Sequence, residues 1–198
     1  DDGALTVFEV RSMEKRWRSP QVAPGRRYYD ALLTSDKSRV VACSSSEWLD
    51  GTVRQFDLAA GSLISATDLV RGCERIEELH GGGILAVSEC LRPTLVNRDG
   101  STVDVSESWG PEGFSTGDLT VGPDSTLAAF ATQRGVVVLE TSGLQRVLPE
   151  LKMGVTDEPV SRVAFSTDGS QLLAESAGGL WATWSIKPTR RSAPELQS

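Results

Sequence analysis

The stretch "VSRVAFSTDGSQLLAESAGGLWATWSI", Val160 to Ile186, decides the fold. Val163 and Phe165 alternate with polar residues up to a Thr-Asp-Gly turn. Leu172-Leu173-Ala174 follows, then a Gly-Gly break and Leu180-Trp181-Ala182-Thr183-Trp184. Period-two alternation interrupted by tight turns predicts three short antiparallel strands rather than a helix.

The same pattern recurs along the chain at a spacing of 44 residues. Asp168 closes "VAFSTD", Asp124 closes "LTVGPD", His80 closes "RIEELH" and Asp36 closes "ALLTSD". After each turn an apolar triplet stands in the same register: Val40-Val41-Ala42, Ile84-Leu85-Ala86, Ala128-Ala129-Phe130 and Leu172-Leu173-Ala174. A third strand follows as "GTVRQFDL" from Gly51, "PTLVNRD" from Pro93, "GVVVLET" from Gly135 and "GLWATWSI" from Gly179; the longer loop "SSSEWLD" delays the first of these. Outer strands are expected at "SLISATDL", "STVDVSE" and "LQRVLPEL". Four-stranded units repeating every 40 to 45 residues mark the blades of a β-propeller, because one such sheet cannot bury its own faces and must stack on its neighbours.

On these residues the chain resembles the WD-repeat β-propeller family. The resemblance is strongest in Val160–Ile186 and in "GTVRQFDLAAGSLI", and weakest in the second unit. The Trp-Asp pair that names the family stands here as Phe56-Asp57 and Trp184-Ser185, and no Gly-His pair precedes a blade. The expected fold is all-β, a propeller of four-stranded antiparallel blades. Residues 1–19 form a half blade ("ALTVFEV" as third strand, Lys15 to Ser19 as fourth), followed by blades at 28–69, 72–108, 116–151 and 160–198. WD-repeat rings commonly close with seven blades. This chain of about four and a half is therefore expected to be the C-terminal part of a larger propeller, the alternative being a compact five-bladed ring.

Composition bounds the function. The 198 residues are 39% hydrophobic and 24% charged, as in a globular protein. No apolar run approaches the roughly 20 residues of a membrane span. A net charge of −7 argues against nucleic acid, which requires clustered positive charge. Sixteen of the 20 basic residues are Arg and Asn97 is the lone Asn, a skew pointing to a GC-rich bacterial genome. The chain opens Asp1-Asp2-Gly3, without an initiator Met. Three cysteines do not make a disulfide framework. Cys43 reads as core; Cys73 and Cys90 are equidistant from the turn at Gly81-Gly82 and could face each other, but two reduced thiols in a cytoplasmic protein is the expected state.

Catalytic motifs fail on inspection. "HGGG" (His80 to Gly83) and "GFSTG" (Gly113 to Gly117) together mimic an esterase, yet a nucleophile elbow needs a helix after Ser115 and a His downstream, and His80 precedes it. Register puts His80 at a hairpin turn and Ser115 in an inter-blade loop. One His and three scattered Cys supply no zinc set, no Walker loop is present, and Asp118, Asp124 and Asp168 read as turn residues. Glu77-Glu78 and Asp157-Glu158 read as solvated charges. No catalytic, cofactor or metal residue is expected.

Surface recognition remains. In such propellers the loops between second and third strands and the loops between blades share one face. The first class carries Trp48, Arg92, Gln133 and Arg134; the second carries Tyr28, Tyr29, Arg71, Trp109 and Phe114. Trp, Tyr and Arg dominate binding hot spots. A basic strip, Lys15, Arg16, Trp17, Arg18, Arg26 and Arg27, could dock an acidic or phosphorylated peptide, or form a solvated outer strand. The expected function is a non-catalytic protein-interaction scaffold or sensor module of a larger bacterial signalling protein, its partner a protein or its own neighbouring domains. The alternative is part of a propeller peptidase, lyase or glycosidase completed by other blades.

Overall fold

The computed structural model describes residues 3–20, 22, 26–46, 50–69, 72–88, 93–104, 115–154 and 158–186. Seventeen strands form five antiparallel sheets in chain order, and none of the described residues is helical. The first sheet has two strands, β1 (Thr6–Phe8) and β2 (Lys15–Arg18). The second is a four-stranded meander of β3 (Arg26–Leu33), β4 (Arg39–Ser46), β5 (Asp50–Asp57) and β6 (Leu63–Leu69). The third contains β7 (Arg75–Glu78), β8 (Ile84–Val87), β9 (Pro93–Val96) and β10 (Thr102–Asp104). The fourth contains β11 (Ser115–Val121), β12 (Leu127–Thr132), β13 (Val136–Glu140) and the short β14 (Gln145–Arg146), and the fifth β15 (Val160–Phe165), β16 (Gln171–Ser176) and β17 (Trp181–Ser185). This is a β-propeller fold.

The apolar triplets form the second strands and are almost wholly buried, because each meander presents one pleat face forwards and the other backwards. Four buried clusters result, each shared by two successive sheets. Trp17 joins Val40, Ala42 and Phe56 between the first and second sheets. Val41, Cys43 and Val53 meet Ile76, Ile84 and Ala86 between the second and third. Leu79, Leu85 and Val87 meet Leu119, Ala128 and Phe130 between the third and fourth, and Ala129, Ala131, Val136 and Val138 meet Val163, Leu172 and Ala174 between the fourth and fifth.

Register explains how far the repeat is literal. In three of the hairpins a backbone N–H bonds the carbonyl five residues on: Thr34 to Arg39, Gly122 to Leu127 and Ser166 to Gln171. In each, the Asp two residues into the turn accepts from the N–H two positions later, as Asp36 does from Ser38, Asp124 from Thr126 and Asp168 from Ser170. The third sheet departs. Leu79 bonds Gly83, only four residues on, and both Gly81 and Gly82 take positive φ. This turn is one residue tighter, so His80 does not stand in for the missing Asp. Its exposed backbone N–H instead reaches Ser125 Oγ of the next sheet at 2.9 Å.

Inner strands are also fastened sheet to sheet. Ile76 N–H donates to Asp30 Oδ2 (3.1 Å), and Val163 N–H donates to Asp118 Oδ2 (2.7 Å). Asp118 therefore lies within β11 and acts as an inter-sheet fastener, correcting its reading as a turn residue.

Candidate functional site

Antiparallel meanders place the turns between second and third strands at the same end as the linkers that enter each new sheet. The best-described piece of that face is the β12–β13 turn. Thr132 Oγ1, fully buried, accepts the N–H groups of Arg134 (3.1 Å) and Gly135 (2.9 Å) and lies 3.0 Å from Glu150 Oε1. Gly135 abuts Leu151, whose backbone pairs with Val136 in both directions at 2.8 Å. With these bonds made, Gln133 and Arg134 are held out into solvent on a fixed backbone.

That hydroxyl belongs to a series which the reading of the sequence missed. Ser44, Ser88, Thr132 and Ser176 stand 44 residues apart, all buried near the C-terminal ends of second strands. Ser176 Oγ donates to Glu158 Oε2 (2.8 Å) and accepts from Leu180 N–H (3.1 Å), and Ser44 Oγ accepts from Arg54 Nη1 (2.6 Å). The 44-residue spacing of these hydroxyls is the signal in the sequence that marks them. Glu158 is accordingly half-buried and engaged, not solvated.

Other expected contact residues distribute differently. Tyr28 and Tyr29 lie inside β3, not in the loop before it, because pairing with β4 already begins at Arg26–Ser46. Tyr28 packs against the Trp17 cluster, while Tyr29 faces outwards with the Arg27 guanidinium 4.8 Å over its ring. Trp48, Arg71, Arg92, Trp109 and Phe114 lie outside the described residues.

The basic strip divides between two sheets. Lys15 to Arg18 form β2, whereas Arg26 and Arg27 open β3. Trp17 is structural: its indole N–H donates to Leu58 O (2.8 Å) and its ring lies 5.8 Å from Phe56 at 37°. Arg16 is paired with Glu9, and Arg26 with Asp50 and Thr52. Much of the strip's charge is thus neutralised in place.

Acidic and thiol groups have distinct environments. Glu77 is half-buried; burial first, then the nearby charges of Asp30 and Asp118, raises its pKa to about 6. This corrects its reading as a solvated charge. Hydrogen bonds from Ser166 and Ser170 lower Asp168 to about 2. Cys73 is fully buried beside Cys43, its thiol pushed well above the usual range by burial and then by that neighbour. It lies in one cluster with Cys43; Cys90, the other member of the pair considered, lies outside the described residues. Ser115 opens β11, with no helix after it. Among the described residues no three His, Cys, Asp or Glu side chains come together as a metal set. No described helix is long and apolar enough to cross a membrane.

Comparison with known proteins agrees on the architecture. The crystal structure of the β-propeller domain of Cps50 (Swd1) from Myceliophteria thermophila is similar over 98% of this chain, with a TM-score of 0.71 and 14% sequence identity. The chain spans 62% of that structure's length. No family model and no curated protein matches the sequence. At this identity the likeness establishes the fold.

Proposed function

We propose that the chain is a non-catalytic interaction module, part of a larger propeller in a bacterial signalling or regulatory protein of the cytoplasm. It offers the face bearing Gln133 and Arg134 to a protein partner. The observation that carries this reading is the β12–β13 turn, whose backbone polar groups are satisfied internally so that both side chains are presented at little ordering cost on binding. Trp48, Arg71, Arg92, Trp109 and Phe114 belong to the same loop classes by sequence and extend the proposed surface.

A larger ring is supported by one apolar position in the second sheet and one in the fifth. Leu33 of β3 is 49% exposed, although Val121 and Phe165, in the same register of later sheets, pack into inter-sheet clusters. Trp181 of β17 is 59% exposed where its counterparts Val53 and Val136 are fully buried. Inner strands added beside β1 and β2 would cover Leu33, and a sheet following the fifth would cover Trp181.

The test is partner capture by the full-length protein, identified by mass spectrometry. Replacing Gln133 and Arg134 by Ala, alone and with Trp48→Ala and Trp109→Ala, should reduce recovery at least tenfold. Lys37→Ala, in a turn at the opposite end of the sheets, should leave it unchanged. Equal loss for both sets, or turnover of a substrate by the intact protein, would sink the reading.

A further inference from the structure

At the end of the sheets opposite Gln133 lies a cavity of about 440 Å³ between the second and third sheets, lined chiefly by Ser38, Arg39, Gln55, Ser65, Arg98 and Asp99. Its floor is unusual. Arg39 is only 8% exposed and Gln55 only 1%, and they form a diagonal pair across β4 and β5. Arg39 Nη1 donates to Gln55 Oε1 at 2.5 Å, but Arg39 Nε and Gln55 Nε2, both buried, find no hydrogen-bond partner among the described residues. Two orphaned donors beside a buried positive charge, hydrogen-bonded to a neutral amide and answered by a carboxylate only through the nearby Asp36 charge, make a costly arrangement.

Arg98 reaches the same cavity from the exposed β9–β10 turn of the neighbouring sheet, and among the described residues no carboxylate forms an ion pair with either arginine. Gly82 leaves the two arms room to converge: a Cβ there would lie 3.2 Å from Arg39 Nη2 and 3.8 Å from Arg98 Cδ. The rim acids are committed elsewhere. Asp57 accepts from Ala60 N–H, and Asp99 accepts from the N–H and hydroxyl of Ser101. What the floor lacks is an acceptor that carries negative charge.

We propose that this cavity binds a small oxyanion, a phosphoryl or carboxylate group held by Arg39, the Gln55 amide and Arg98. The site is independent of the loop face, so either can stand without the other.

The experiment is thermal unfolding of the full-length protein titrated with sodium phosphate and, separately, sodium acetate, each against sodium chloride at matched ionic strength. A saturable rise in Tm beyond that given by chloride, with phosphate or with acetate, supports the site and identifies the phosphoryl or carboxylate source. Arg98→Ala, at an exposed turn, should weaken the apparent affinity about tenfold. Gln55→Glu supplies an internal carboxylate and should raise Tm without added anion while abolishing the response. If neither anion exceeds chloride, or if Arg98→Ala and the unaltered protein respond alike, the cavity holds water only and the proposal is overturned. Should Gln55→Glu fail to fold, the Arg98→Ala comparison decides.

Discussion

The seam between the fourth and fifth sheets and the seam between the first and second are built from the same register, yet only one is complete. In the former, Val163, Leu172 and Ala174 close on Ala129, Ala131, Val136 and Val138, with Phe165 packed at the margin. In the latter, Val40 and Ala42 are covered by Trp17, but Ala31 and Leu33 meet solvent beside Val7, Phe8 and Val10 in an apolar groove. The difference is not in the second sheet, which has its full set of four strands. The first sheet contributes only β1 and β2, the counterparts of outer strands, and nothing described lies where two inner strands would pack. Burial in this fold is a property of pairs of sheets, so an apolar residue is core or surface according to its neighbour alone.

The largest test of that contrast is Trp17→Ala, which removes the first sheet's buried aromatic from the incomplete seam. It should cost about 3–5 kcal/mol, read as a fall in the denaturant midpoint with the first sheet detaching earliest. Leu172→Ala in the complete seam should cost about 2–5 kcal/mol, whereas Leu33→Ala, at the uncovered position, should stay within about 0.5 kcal/mol in the isolated 198-residue chain. Equal costs for the two leucines would show that the second seam is already closed. Gly61→Ala should fall next, at about 2 kcal/mol. Gly61 has φ +69° and a Cβ there would lie 2.6 Å from the Trp17 ring, so the effect should shrink when combined with Trp17→Ala.

The smallest effect concerns pH. Glu77 has a folded pKa of about 6 against 4.5 unfolded, so the folded state holds its proton more tightly. Stability from this group is present below pH 4.5 and is lost as pH rises through 6. Glu77→Gln should flatten thermal stability between pH 4.5 and 6 and raise Tm at pH 7 by roughly 2 °C, after allowance for solvent screening. A steeper profile in the variant would reverse the assignment.

The sheet repeat was legible because alternation and turn chemistry act over neighbouring residues: Asp36, Asp124 and Asp168 each shape their own hairpin. What stayed hidden depends on register between strands. The tighter turn at Leu79–Gly83 keeps the 44-residue count while shifting the pairing by one, so His80 only looks like a fourth member of the Asp series. Arg39 and Gln55 are 16 residues apart and meet only through the β4–β5 ladder. Tyr28 and Tyr29 were misplaced because a Gly-Arg-Arg run reads as a loop, while the ladder to Ser44–Ser46 carries it into a strand. Asp118, too, needs the next sheet's amide before its role can be seen.

The four clusters run in chain order, each a separate joint between adjacent plates. Under tension applied between β1 and β17, load passes through these joints in series, and the weakest yields first, taking with it only the seams that the lost sheet shares with its neighbours. The chain should therefore lengthen in discrete steps of about one sheet each, giving a sawtooth rather than a single rupture.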